Sequence, residues 1–187
     1  MIKSDCRKLF LEKRKQISAE ERTQLSQKIC DTLIHSFDFT GRNVSLFLPI
    51  ESKHEVDTFL IINKLKQVNS IIGLPIADFQ TNTIKHYIYE SLDQLKISEY
   101  GIPEPVYGKE LNPEEIEFVI VPLLCADFRG YRVGYGKGFY DRLLDRVSEK
   151  CITIGISYFE LIDQIDDINE FDKKLMYYCS PTQFIQF

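Results

Sequence analysis

Residues 127–142 of this 187-residue chain read Asp-Phe-Arg-Gly-Tyr-Arg-Val-Gly-Tyr-Gly-Lys-Gly-Phe-Tyr-Asp-Arg, the densest run of chemically useful side chains in the sequence. Gly134, Gly136 and Gly138 let the backbone bend and approach a ligand closely. A helix behind them would offer free amides and a positive dipole end, which suits phosphate. Arg132 and Lys137 add full positive charge. Tyr135, Phe139 and Tyr140 supply flat apolar faces for a planar heterocycle, and Asp141 can present a carboxylate to a magnesium ion. One loop could thus serve triphosphate, metal and ring. The two common glycine fingerprints do not describe it: G-x-G-x-x-G fails at Phe139, and G-x-x-x-x-G-K-[ST] fails at Tyr131 and Gly138. A tight strand-to-helix turn without a ligand would use similar glycine spacing, but it would not need these charges and aromatics.

A second set of charges lies at the start of the chain. Lys3, Arg7 and Arg14, at i, i+4 and i+11, fall on one stripe of a helix. Such a stripe can run along a polyphosphate, or it can be an ordinary solvated basic face. Lys8, Lys13 and Lys15 make the segment more basic still, against only Asp5 and Glu12, in a chain whose net charge is −5.

These side chains must be held by a scaffold, and the hydrophobic pattern outlines one. The chain reads as helical from Lys3, and a second helix starts at a capping box, Ser18 to Glu21, ahead of Leu25, Ile29 and Leu33. Two antiparallel helices would open the fold. A buried strand over 44–48, an amphipathic helix over 56–68 and a strand over 71–74 make a parallel βαβ unit. Residues 84–89 alternate like a half-exposed strand. The stretch around Gly101, Pro103, Pro105 and Gly108 reads as loops that cover a site. The strongest central strand is 118–121, followed by the glycine-rich segment, a helix over 139–149 and a strand over 152–156. Alternation of this kind implies an α/β fold: a single doubly wound, mostly parallel sheet with helices on both faces, in one domain spanning 1–187.

Composition narrows the function classes. With 44% hydrophobic and 27% charged residues the chain can bury a core and is not a disordered tail. Its acidic balance argues against nucleic acid as a partner. The five cysteines are odd in number and contain no C-x-x-C, so neither a disulfide framework nor a zinc site is expected. No apolar run approaches about 18 residues, and the first residues carry charges where a signal peptide needs an apolar stretch. The expectation is a cytoplasmic monomer that uses no membrane. His35, His54 and His86 have no metal spacing and are expected at the surface, as is an acidic loop at Asp166, Asp167 and Glu170.

The segment Gly130 to Asp141 resembles the signature of the 5-formyltetrahydrofolate cyclo-ligase family, G-x-R-[LI]-G-x-G-[GK]-G-[YF]-Y-D. The similarity is ordered along nearly the whole chain. Lys3-x-x-Cys6-Arg7 and Arg14 resemble the family's phosphate-binding N-terminal helix, Glu55-Val56-Asp57-Thr58 its E-[IV]-[DE]-T, and Tyr100 to Pro105 its [WY]-G-I-P-[EQ]-P. The resemblance implies ATP-dependent cyclisation of 5-formyltetrahydrofolate to 5,10-methenyltetrahydrofolate, with ADP and phosphate released through a phosphorylated formyl (imino phosphate) intermediate. It implies that Lys3, Arg7, Arg14, Arg132 and Lys137, with the amides of Gly134, Gly136 and Gly138, hold the triphosphate. Lys137 and Arg132 would also neutralise charge during transfer. Asp141 would bind Mg2+, Glu55 would hydrogen-bond the pterin, and Tyr100, Tyr135 and Tyr140 would contact folate. Two positions depart from the family pattern: Ile76 stands where many relatives have arginine, and Met176 where a second acid is usual. Asp172 is the substitute metal ligand this suggests. These departures motivate an alternative, a non-catalytic folate- or nucleotide-binding protein on the same scaffold. A phosphosugar isomerase or related sensor is a third reading, because doubly wound folds host many functions.

Overall fold

The computed structural model describes residues 1–78, 80–81, 83–99 and 101–187. Two helices open it, α1 (Lys3–Gln16) and α2 (Ala19–Ser36). Ser18 caps α2 as expected, its Oγ accepting from Glu21 N at 3.2 Å. The helices bury their faces in different places. Cys6 and Phe10 of α1 pack with Leu124, Cys125, Val133 and Ile165, whereas Ile29, Cys30 and Leu33 of α2 enter the main core.

The central sheet is built from β1 (Asn43–Leu46), β2 (Ile71–Asp78), β3 (Thr83–Ile88), β6 (Phe118–Pro122), β9 (Ile152–Ile156), β10 (Tyr177–Cys179) and β11 (Phe184–Gln186), in the order β11-β10-β9-β6-β1-β2-β3. The four inner pairings are parallel, while β3 and β11 close the edges antiparallel. Helix α3 (Phe59–Gln67) makes the β1-to-β2 crossover. Short hairpin-like pairs are formed by β4 (Leu95–Ile97) with β5 (Pro103–Pro105), and by β7 (Cys125–Ala126) with β8 (Arg132–Val133). Helix α4 (Phe139–Leu144) follows β8.

The two-residue period of a strand explains how both faces become covered. Phe118 and Ile120 of β6 point into the cluster that holds α2 and α3. Val119 and Val121 point into the opposite cluster with Leu143 of α4. This is the doubly wound, mostly parallel α/β architecture that the alternating elements predict. The chain leaves β1 toward β2 on one side and later returns to β6 on the other. Connections therefore diverge above the carboxyl ends of β1 and β6, which opens a crevice there.

Three local expectations are corrected. α4 ends at Leu144 rather than continuing to 149, because Arg146 N bonds back three residues to Leu143 O and Ser148 diverts the chain into a turn, its carbonyl accepting from Cys151 N at 2.8 Å. The strands β10 and β11 were outside the predicted set, since runs of three residues carry no legible period. His86 is not at the surface. It is fully buried on β3 and reaches across Gly73, with Nε2 2.8 Å from Ser45 Oγ. A Cβ at Gly73 would stand at ordinary contact distance from His86 Cβ, 3.5 Å, but only 2.7 Å from Leu111 Cδ2, so the glycine chiefly makes room for Leu111 beside this crossing.

Burial, and secondarily the charge of Arg146, push the His86 pKa from 6.5 to about 4. The unfolded chain therefore binds a proton that the folded chain refuses. Stability is full above pH 6.5 and is lost as pH falls toward about 4. The contribution is on the order of 3 kcal/mol. His86→Gln should flatten the fall in Tm across that window in a pH series of thermal melts, and an unchanged slope would contradict the assignment.

Candidate active site at the carboxyl ends of the sheet

A cavity of about 950 Å³ occupies the crevice. Its floor is Phe47, Leu48 and Ile50 beyond β1, Pro75 and Ala77 of β2, and Pro122 at the end of β6. The glycine-rich loop from Gly134 to Gly138 and the first residues of α4 form one wall, and Lys3 and Arg7 of α1 another.

The N-terminal stripe faces inward and is not a solvated basic face. Arg7 Nε donates to Gly134 O at 2.9 Å. Lys3 Nζ contacts both oxygens of Asp172, at 2.7 and 2.5 Å. The acidic loop, although exposed, does more than meet solvent: Asp167 Oδ1 accepts from Lys3 N at 2.6 Å, and Asp166 pairs with the chain's amino terminus at 2.7 Å. Arg14 departs from the expected grip on phosphate. It is 2% exposed, does not line the cavity, and donates from Nη2 to Leu123 O at 2.5 Å and from Nη1 to Tyr135 Oη at 3.0 Å.

Within the glycine loop the three glycines do different things. Gly136 and Gly138 have φ of +89° and +68°, conformations that L side chains rarely adopt, and a Cβ at Gly136 would press on the Arg7 guanidinium at 3.1 Å. Gly134 has no such φ and open space around it, so its value is the carbonyl it gives Arg7. Lys137 is exposed and lines the cavity. Because α4 has only six residues, the loop amides rather than a long helix dipole supply the positive end.

Arg132 is nearly buried. It donates to Lys173 O at 2.6 Å and to Asp141 Oδ1 at 2.7 Å. Burial lowers its pKa while Asp141 and Asp172 act to keep it charged. Lys173 N also donates to Asp141 Oδ1, at 3.2 Å. Both bonds converge on Oδ1, not on Oδ2. Among the described residues no group of three or more His, Cys, Asp or Glu is placed to hold a metal. Magnesium usually keeps several waters and needs only one or two carboxylates besides substrate phosphates. The donor set therefore fits a metal that arrives on a nucleotide and meets Asp141, and it does not fit a protein cage.

Glu55 is 8% exposed and borders the cavity. Its Oε2 accepts from Ile50 N at 2.8 Å and its Oε1 from Tyr135 Oη at 2.6 Å. Burial raises its pKa, and these two bonds together with Arg14 and Lys53 work against that rise. The phenol of Tyr140, also at the cavity, is held neutral by burial and by the Glu55 charge. Tyr100 lies outside the described residues. Lys53, Glu104, Asp145 and Phe171 line the cavity without having been singled out from sequence. Lys53 ends a short 3-10 turn after β1, Glu104 lies on β5, Asp145 caps the end of α4 and Phe171 follows in a later loop; only Glu104, inside the Gly101-to-Pro105 run, carried a motif signal.

The model of the 5-formyltetrahydrofolate cyclo-ligase family matches residues 1–177. The chain belongs to that family. A cyclo-ligase of Mycoplasma genitalium is 33% identical over 162 residues, 83% of this chain and 84% of its own length. The mouse cyclo-ligase is 27% identical over 180 residues, covering 88% of each chain. Among solved structures, the 5,10-methenyltetrahydrofolate synthetase of Aquifex aeolicus superposes with a TM-score of 0.84 at 34% identity, over 100% of this chain and 93% of the other. That of Mycoplasma pneumoniae gives 0.77 at 26% identity, over 97% and 99%. For a cyclo-ligase family member the two sequence departures are peripheral: Pro75 and Ala77 line the cavity but Ile76, between them on β2, does not, and neither does Met176.

Proposed function

We propose that this chain, acting as one unit over residues 1–187, catalyses ATP-dependent closure of 5-formyltetrahydrofolate to 5,10-methenyltetrahydrofolate. The observation that carries the reading is the one cavity lined together by Lys3, Arg7, the glycine loop with Lys137, the Arg132–Asp141 pair and the buried carboxylate of Glu55. A triphosphate grip beside a ring-binding acid would be of little use to a sugar isomerase.

The chemistry asks mainly for positioning and charge neutralisation, because the formyl oxygen is a weak nucleophile. That oxygen bonds to the γ-phosphorus as the bond to the bridging oxygen of ADP breaks. The second folate nitrogen then attacks the activated carbon, loses its proton, and phosphate departs with the former formyl oxygen. No protein nucleophile is required. Lys3, Arg7 and the loop amides hold the triphosphate, and Lys137 with Arg132 offsets charge on the transferring group. Magnesium held by Asp141 and phosphate oxygens would add further neutralisation of the β- and γ-phosphates. Glu55 accepts N–H donors of the pterin, and Tyr140, Tyr135 and Tyr100 contact folate. Among the described residues no helix is long and apolar enough to cross a membrane.

Methenyl-folate absorbance should develop only when ATP, magnesium and 5-formyltetrahydrofolate are all present, and absorbance without ATP would overturn the reading. Lys3→Ala and Arg7→Ala should each weaken ATP binding, by about 1.5–3 kcal/mol per charge-assisted contact, with folate affinity little changed. Calorimetric titration with each ligand checks this; equal loss for both ligands would mean that α1 acts on the fold and not on phosphate.

A further inference from the structure

The Tyr135 hydroxyl sits between two charged side chains that are far apart in sequence. Arg14 Nη1 donates to it at 3.0 Å, and it donates to Glu55 Oε1 at 2.6 Å. Each end of this chain of bonds is itself fixed. Arg14 is buried with Nη2 on Leu123 O, and the other Glu55 oxygen accepts from Ile50 N at 2.8 Å. Tyr135 is 37% exposed as a residue while its hydroxyl is held by Arg14 and Glu55.

We infer that Arg14 and Tyr135 are positioning residues that fix the direction in which the Glu55 carboxylate faces the cavity. The inference rests on the proposed cyclo-ligase reading, in which Glu55 receives N–H donors of the pterin. It gives Arg14 a task other than phosphate binding and gives Tyr135 one beyond an aromatic face. A carboxylate has about four acceptor sites. Two are used here, one per oxygen, so each oxygen keeps capacity for a ligand N–H.

The arrangement also supports the charge on Glu55. The groups that face it are Arg14 from α1, Lys53 from the turn after β1, Tyr135 from the glycine loop and Tyr140 from α4. Arg14, Lys53 and the Tyr135 hydrogen bond favour the carboxylate, whereas burial opposes it. Removing the hydroxyl deletes one stabiliser of the charged form and frees the carboxylate to turn.

The test measures 5-formyltetrahydrofolate and ATP affinities against pH for the wild type, Tyr135→Phe, Glu55→Gln and the double variant, with circular dichroism on each. Tyr135→Phe should bind 5-formyltetrahydrofolate about tenfold more weakly at neutral pH, with ATP affinity unchanged. Its loss of folate binding on acidification should begin about one pH unit higher than in the wild type. On the Glu55→Gln background the same substitution should have no further effect. A Tyr135→Phe protein with wild-type folate affinity and pH profile overturns the inference alone, as does an equal loss on the Glu55→Gln background. A wild type that neither binds folate nor forms methenyl-folate overturns the underlying reading and the inference with it.

Discussion

Lys137→Ala is expected to lower the maximal rate by a factor on the order of 10² to 10³, the loss that follows when one preorganised electrostatic stabiliser is removed. Lys137 is exposed on the glycine loop at the cavity wall, so its removal should cost the fold only a few tenths of a kcal/mol. The neighbouring cations are otherwise engaged: Arg132 with Asp141 and Lys173 O, Arg7 with Gly134 O, and Lys3 with Asp172. On the proposed reading Lys137 is the glycine-loop cation that follows the phosphoryl group as it moves, and the effect should fall on turnover more than on ATP affinity. The magnesium requirement should stay as in the wild type. Steady-state kinetics with magnesium titration checks this, and a Lys137→Ala protein with full turnover would remove the loop from the transfer step.

Asp141→Ala should be the most damaging change to the fold at the site. It leaves the nearly buried Arg132 without its ion-pair partner, a class of lesion that costs about 3–5 kcal/mol, toward the lower end here because the Asp141 side chain is 29% exposed. Asp141→Asn is different in kind. It keeps an oxygen for Arg132 and Lys173 N while losing the charge that a hard cation needs. Its Tm should fall much less than that of Asp141→Ala, while the magnesium needed for half-maximal rate should rise. Thermal melts and magnesium titrations of the two variants separate these roles. Similar melts with an unchanged magnesium requirement would contradict both assignments.

Much of this could be read from the sequence where signals are local. The βαβ unit, the central strand at 118–121 and the glycine loop carry strong period or composition signals, and they formed as predicted. The stripe of Lys3, Arg7 and Arg14 was legible as a geometry but not as a set of partners. Helical spacing puts three charges on one face, yet which of them meets the cavity depends on where α1 packs against β8 and the glycine loop. Arg14, a full three turns along, passes beneath the loop and meets Tyr135 and Leu123 O instead. His86 was misplaced for a related reason. An alternating strand predicts which side a residue takes, but it could not show that Ser45, two strands away, offers a buried partner for an imidazole. Asp167 joined the site through its contact with Lys3 across more than a hundred and sixty residues of sequence, where short-range patterns carry no information; Asp172, expected only as a substitute metal ligand, has both oxygens on Lys3 Nζ.

The central claim is that this cavity transfers the γ-phosphoryl group of ATP to the formyl oxygen of the folate. The most direct measurement uses 5-formyltetrahydrofolate labelled with heavy oxygen in the formyl group and follows the label by mass spectrometry of the released phosphate. The account predicts one labelled phosphate and one ADP for each methenyl-folate formed. Label released into water with unlabelled phosphate would contradict it.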